Sequence, residues 1–220
     1  MATHHKFSAT RTAHVYTIGN PGKHIKKVWI VAHGYGLLAS RFIHRFEQLD
    51  DGETLIIAPE GLSRFYWGGF TGEVVSSWMT KGDRLDEIAD FTNYMQQVYD
   101  NFIPQLNKSV TINLLGFSQG CATQVRWILK KFPHFHNLIM WSGSIPEDIP
   151  YHEQEGYWDD KALYFAYGTQ DPFLTEKRVK WCYDTIKEKG LTCQTHTFEG
   201  KHEVDKAALK DFVTKFSGIT

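Results

Sequence analysis

Ser118 stands in the run Gly116-Phe117-Ser118-Gln119-Gly120, between an apolar, β-branched stretch at 110–115 and an amphipathic stretch at 119–132. That context predicts a nucleophile elbow, a sharp strand-to-helix turn that holds a serine hydroxyl above the end of a sheet. Glycine at both ends fits such a turn, because the serine backbone is strained and larger flanking side chains would meet the adjoining strand and helix. A serine hydroxyl is a poor nucleophile at neutral pH. It needs an imidazole to take its proton and a carboxylate to orient that imidazole. Two later turns carry these groups, Asp171 in Gly168-Thr169-Gln170-Asp171-Pro172 and His202 in Gly200-Lys201-His202. The oxyanion formed on attack needs backbone N–H donors fixed in advance. Gln119, at the start of the elbow helix, supplies one, and Tyr35, between Gly34 and Gly36, is placed to supply another.

Other residues compete for these roles. His33 immediately precedes the Gly-Tyr-Gly loop and is expected to hydrogen-bond within it. His196 falls mid-strand and is the reserve base, while Asp148, Asp159 and Asp160 sit in a polar loop or precede a strand rather than follow one. Asp171 also suits a helix cap ahead of Pro172, a role that could coexist with catalysis. Cys121 is expected to be a packed helix residue. The aromatic stretch 61–79 is too apolar for solvent-facing coil, and Trp67, Phe70 and Trp78 are expected to wall a substrate pocket.

The elements that must position these groups follow from hydrophobic pattern. Strands are expected at 27–32, 54–58, 110–115, 137–141, 162–167 and 191–198, with an edge hairpin or strand at 7–18. Helices are expected after Gly36 (Ala39, Phe42, Ile43, Phe46 and Leu49 on one face), and at 82–103, 119–132, 175–189 and 203–216. A polar loop is expected at 142–160. Strands alternating with helices imply an α/β fold, a mostly parallel central sheet flanked by helices on both faces. No linker or large lid insertion interrupts it, so residues 1–220 read as one domain.

Composition excludes several classes. A formal net charge of −1, with scattered Lys and Arg, offers no basic face for nucleic acid. No apolar run approaches the roughly 18 residues of a membrane span, so no stable membrane insertion is expected. The N-terminus lacks a signal-peptide pattern, and three cysteines, Cys121, Cys182 and Cys193, suit reduced thiols. A cytoplasmic location follows as the expectation. The chemistry calls for no metal and no organic cofactor, and oligomeric state is left open.

Taken together, His33-Gly34-Tyr35-Gly36, 116–120, Ser142-Gly143-Ser144-Ile145-Pro146, 168–172 and 200–202 resemble the phospholipase/carboxylesterase group of α/β-hydrolases, related to acyl-protein thioesterases. The resemblance runs from about residue 27 to the C-terminus. It implies Ser118, Asp171 and His202 as a triad, Tyr35 and Gln119 as oxyanion donors, and Ser77-Trp78 as a pair beside the acyl channel. Thioesterase members usually have Phe-Asp after that tryptophan and an aspartate after the oxyanion glycines. Here Met79-Thr80 and Leu37-Leu38 stand in those places. The implied activity is therefore a general carboxylesterase acting on small-molecule esters or thioesters, and with no lid-like insertion or exposed amphipathic helix in the pattern, short to medium acyl chains are expected. Acyl-protein thioesterase or lysophospholipase activity is the alternative. A peptidase or amidase, and a non-catalytic ligand-binding module, are further readings.

Overall fold

A computed structural model describes residues 1–151 and 156–216. In chain order its elements are β1 (Val15–Ile18), β2 (Lys27–Ala32), α1 (Ala39–Phe42), β3 (Thr54–Pro59), β4 (Ser63–Trp67), β5 (Glu73–Ser77), α2 (Arg84–Phe102), β6 (Thr111–Phe117), α3 (Gln119–Lys131), β7 (Asn137–Trp141), β8 (Ala162–Gly168), α4 (Glu176–Glu188), β9 (Gln194–Phe198) and α5 (Lys206–Lys215). Seven strands form one sheet in the order β1-β3-β2-β6-β7-β8-β9. Within this sheet, among the described residues, only β1 runs antiparallel, against β3. This is the mostly parallel α/β sheet that the alternating pattern predicts.

The near-continuous apolar strands are explained by cover on both faces. Along β2, Val28, Ile30 and Ala32 enter one core cluster while Trp29 and Val31 enter the other. On β7, Leu138 and Met140 face the first cluster, and Ile139 and Trp141 the second. The first layer is completed by Phe91 and Met95 of α2, Val125 and Trp127 of α3, and Cys182 and Ile186 of α4. The second is completed by Phe42 of α1, Phe46, and Leu209 and Phe212 of α5.

Strand order reverses between β2 and β6. The chain leaves β2 to one side for β3 and comes back on the other side as β6, paired through Ala32↔Gly116. Crevices at the carboxyl ends of strands open at such a switch point. Here it brings the loop after β2, with Tyr35, beside the turn after β6, with Ser118.

Three expectations need correction. The segment 7–18 is a strand only from Val15, because β1 is the sheet edge and has β3 alone to pair with. The helix after Gly36 is one α-turn, Ala39–Phe42, continued as a 3₁₀ helix over Ile43–Leu49. The aromatic stretch is no loop: β4 and β5 form an antiparallel hairpin outside the main sheet, with Phe65 opposite Val75. Its aromatic residues are strand formers that also suit a half-exposed ribbon. Of the expected polar loop at 142–160, residues 152–155 lie outside those described.

Candidate active site

The turn from β6 to α3 has the geometry its glycines predict. Ser118 has φ 52° and ψ −114° and is the N-cap of α3, a sparsely populated conformation held by its surroundings. A Cβ on Gly116 would lie 2.4 Å from the Gly120 carbonyl oxygen, and one on Gly120 would lie 2.1 Å from that of Ala32. Both positions therefore exclude any other residue. The Ser118 N–H donates to the Trp141 carbonyl at 2.9 Å, tying the turn to the neighbouring strand β7.

Asp171 and His202 come from the turns after adjacent strands, β8 and β9. Backbone bonds from Thr169 N–H to Phe198 O and from Gln170 N–H to Gly200 O, both 2.9 Å, hold the two turns together. The Asp171 side chain is fully buried. Its Oδ1 accepts the Phe173 N–H at 2.8 Å, and its Oδ2 accepts from His202 Nδ1 at 2.7 Å. With Nδ1 donating to the carboxylate, Nε2 of a neutral imidazole is left with its lone pair. The Phe117 and Phe173 rings flank the imidazole, at centroid distances of 4.9 and 4.7 Å. His202 and Ser118 line the same cavity.

The loop after β2 is braced from behind. His33 Nε2 accepts the Gly61 N–H at 2.9 Å, so Nδ1 carries the proton and donates to the Gly34 carbonyl at 2.8 Å. Burial pushes this imidazole down to about 4, which keeps it neutral. The Gly36 N–H donates to Ser76 O, and the Ser76 N–H to Leu37 O. Gln119 is the first residue of α3, so its own N–H has no acceptor within the helix. Its side chain is engaged elsewhere: Oε1 accepts the Trp78 N–H at 3.1 Å and Nε2 donates to Met79 O at 2.8 Å. That explains a glutamine beside the serine in physical terms, since one amide clamps the elbow to the chain that follows the hairpin.

The cavity has a volume of about 620 Å³. Of the three aromatic residues expected to wall it, Trp67 does so. Phe70 is 97% exposed near the hairpin tip, and Trp78 is buried in the core behind the loop, so neither lines the cavity. His196 is also absent from the cavity. It packs under Trp141 and Phe212, and burial pushes its imidazole down. Cys121 is fully buried with its thiol against Gly116 O at 3.0 Å, and burial pushes that thiol up. Sequence reading missed Tyr35 as a cavity side chain, and with it Phe173, Trp181, Arg84, Arg126 and Arg178. For Arg126 a signal existed, since 118, 122 and 126 are spaced to share one face of a helix.

The phospholipase/carboxylesterase family model matches residues 13–217. Solved structures of the same fold include acyl-protein thioesterase 2 of Zea mays, at 16% identity and TM-score 0.69, the match covering 95% of this chain and all of that one. A phospholipase/carboxylesterase from Dyadobacter fermentans matches at 17% identity and TM-score 0.65, over 94% and 97% of the two chains. Esterase PE8 matches at 15% and 0.68, over 96% and 100%. No curated protein sequence matches. At these identities the solved structures speak for the fold, while the family match spans β1 through α5 and includes the elbow. The chain therefore belongs to the phospholipase/carboxylesterase family of α/β-hydrolases.

Proposed function

We propose that this hydrolase cleaves carboxylic esters of short to medium acyl chain through an acyl-enzyme on Ser118. The observation that carries this reading is the 2.7 Å contact between His202 Nδ1 and the buried Asp171 carboxylate, behind the wall of the cavity that His202 and Ser118 both line. In the proposed reaction His202 Nε2 takes the Ser118 proton as Oγ attacks the ester carbonyl. The oxyanion is received by the N–H groups of Gln119 and Tyr35. The carbon–oxygen bond to the leaving alcohol then breaks, and the imidazolium returns the proton to that oxygen. Water repeats the sequence on the acyl-enzyme and releases the acid. Asp171 keeps the ring oriented and stabilises its charged form. The same groups serve a thioester, whose thiolate leaves with less help from the imidazolium.

The test is turnover of a p-nitrophenyl ester together with labelling by a fluorophosphonate. Ser118→Ala should abolish both while the far-ultraviolet circular dichroism is unchanged. Substantial turnover by a folded Ser118→Ala protein would overturn the proposal.

A further inference from the structure

Resting on the ester-hydrolase reading, we infer that the substrate's acyl chain ends in a carboxylate, recognised by the buried guanidinium of Arg126. Arg126 lines the cavity, yet its side chain is only 4% exposed. Asp148 engages one nitrogen, Nη2 to Oδ1 at 2.5 Å, and Nε has no hydrogen-bond partner among the described residues. A second cavity residue, Ser142, has a buried hydroxyl that is likewise without a partner. Buried polar groups are almost always paired, and an unpaired one on a cavity wall calls for an explanation, of which a bound ligand is one. A guanidinium only donates, so what it lacks is an acceptor, and an anionic acceptor gives the strongest bond.

The local charge agrees. Arg84, Arg126 and Arg178 line the cavity, against Glu147 and Asp148. Both acidic residues are exposed, and Asp148 is shared with Arg84 at 3.4 Å. The buried charge is therefore Arg126 alone, and the five groups together leave one positive charge for a ligand to neutralise. Arg178 is stacked on Trp181 at 3.8 Å at the exposed part of the wall.

Placement sets the part of the substrate concerned. Ser118, Ala122 and Arg126 all line the cavity, four residues apart along α3. Eight residues of helix rise about 12 Å, and side chains lean toward the helix N-terminus, so the guanidinium reaches back toward Ser118 and closes part of that span. The leaving alcohol must face His202 to be protonated. The acyl chain then runs away from His202, along α3, toward Arg126. A short dicarboxylic monoester fits this span, with its free carboxylate at Arg126.

The experiment compares monomethyl glutarate with methyl 5-methylhexanoate, in which an isopropyl group replaces the carboxylate, and with 4-acetoxybutyrate, which carries the carboxylate on the alcohol side. The native protein should show the highest kcat/KM on monomethyl glutarate. Arg126→Met, which keeps the apolar stem, should lower kcat/KM on that ester about ten- to hundred-fold more than on the isopropyl ester, mainly through KM. Arg126→Lys should recover part of the loss. Preference for the isopropyl ester or for 4-acetoxybutyrate, or equal losses on all three, would overturn the inference. Should Arg126→Met not fold, glutarate binding to Ser118→Ala by calorimetry stands in its place, with 5-methylhexanoate as the control. Tighter binding of 5-methylhexanoate than of glutarate would equally overturn the inference. Fluorophosphonate labelling of the native protein reports on the ester-hydrolase reading separately, so the two can fail independently.

Discussion

The indole Nε1 of Trp78 donates to the backbone carbonyl of His33 at 2.9 Å. A residue expected beside substrate is thus a buried brace for the loop that carries Tyr35, and its ring lies 5.1 Å from the His33 imidazole. Trp78→Phe keeps an aromatic ring in the core but removes part of the packed volume and leaves the His33 carbonyl without its donor, the lost bond costing about 1–3 kcal/mol and the cavity adding to it. The expected result is a lower urea midpoint and a kcat reduced about ten-fold. With the Tyr35 N–H as the proposed oxyanion donor, that is less than the roughly 10²-fold or greater loss on deleting such a donor, because the N–H is displaced rather than removed. Unchanged kcat in a destabilised protein would show that the brace serves stability alone.

Asp171 and His196 make a contrasting pair. Asp171→Asn keeps the size of the side chain but reverses what it can offer His202 Nδ1, and kcat should fall by about 10⁴ with KM little changed. His196→Leu, remote from the cavity, should leave kcat within about two-fold and show its effect in thermal unfolding, as expected of a core position. Steady-state kinetics on both variants decides between the two histidines as base.

His33 and His196 make stability depend on pH in one direction. Burial holds both imidazoles below their ordinary value, His33 at about 4. A depressed folded-state value means that the unfolded chain binds the extra protons, so stability is fully present above about pH 6.5 and is lost as pH falls below it. For His33 alone the loss between pH 7.5 and 5 is about 2 kcal/mol. Urea midpoints measured at pH 7.5 and 5 should differ accordingly, and His33→Gln should flatten that difference. A midpoint that rose on acidification would contradict the buried neutral assignment.

The hairpin separates two neighbouring aromatics. The Trp67 ring sits against the loop after β2, so close that a Cβ on Gly36 would lie 2.8 Å from it, and it lines the cavity. Phe70 faces solvent. Trp67→Ala should raise KM for a medium-chain ester several-fold, in line with the loss of an aromatic contact to the bound chain, and Phe70→Ser should leave kcat/KM unchanged. A larger effect from Phe70→Ser would mean that the tip itself meets substrate.

The sequence by itself determined the α/β pattern, the elbow and the turns that carry Asp171 and His202, and the reason is local. Period-two alternation is hidden in strands covered on both faces, but an apolar run between turn residues still reads as a strand. Glycines at 116 and 120 report a backbone approach that no other residue tolerates. The loop after β2 was legible for the same reason, its glycines flanking Tyr35. What only the tertiary structure decided depends on partners distant in the chain. Trp67, Phe70 and Trp78 are alike in composition, yet the hairpin register and the His33 carbonyl send them to a cavity wall, to solvent and to the core. For Arg126 the spacing of 118, 122 and 126 marks a shared helix face, but not which partners its guanidinium meets. Only the fold brings Asp148 across to one of its nitrogens and leaves Nε buried with no acceptor among the described residues.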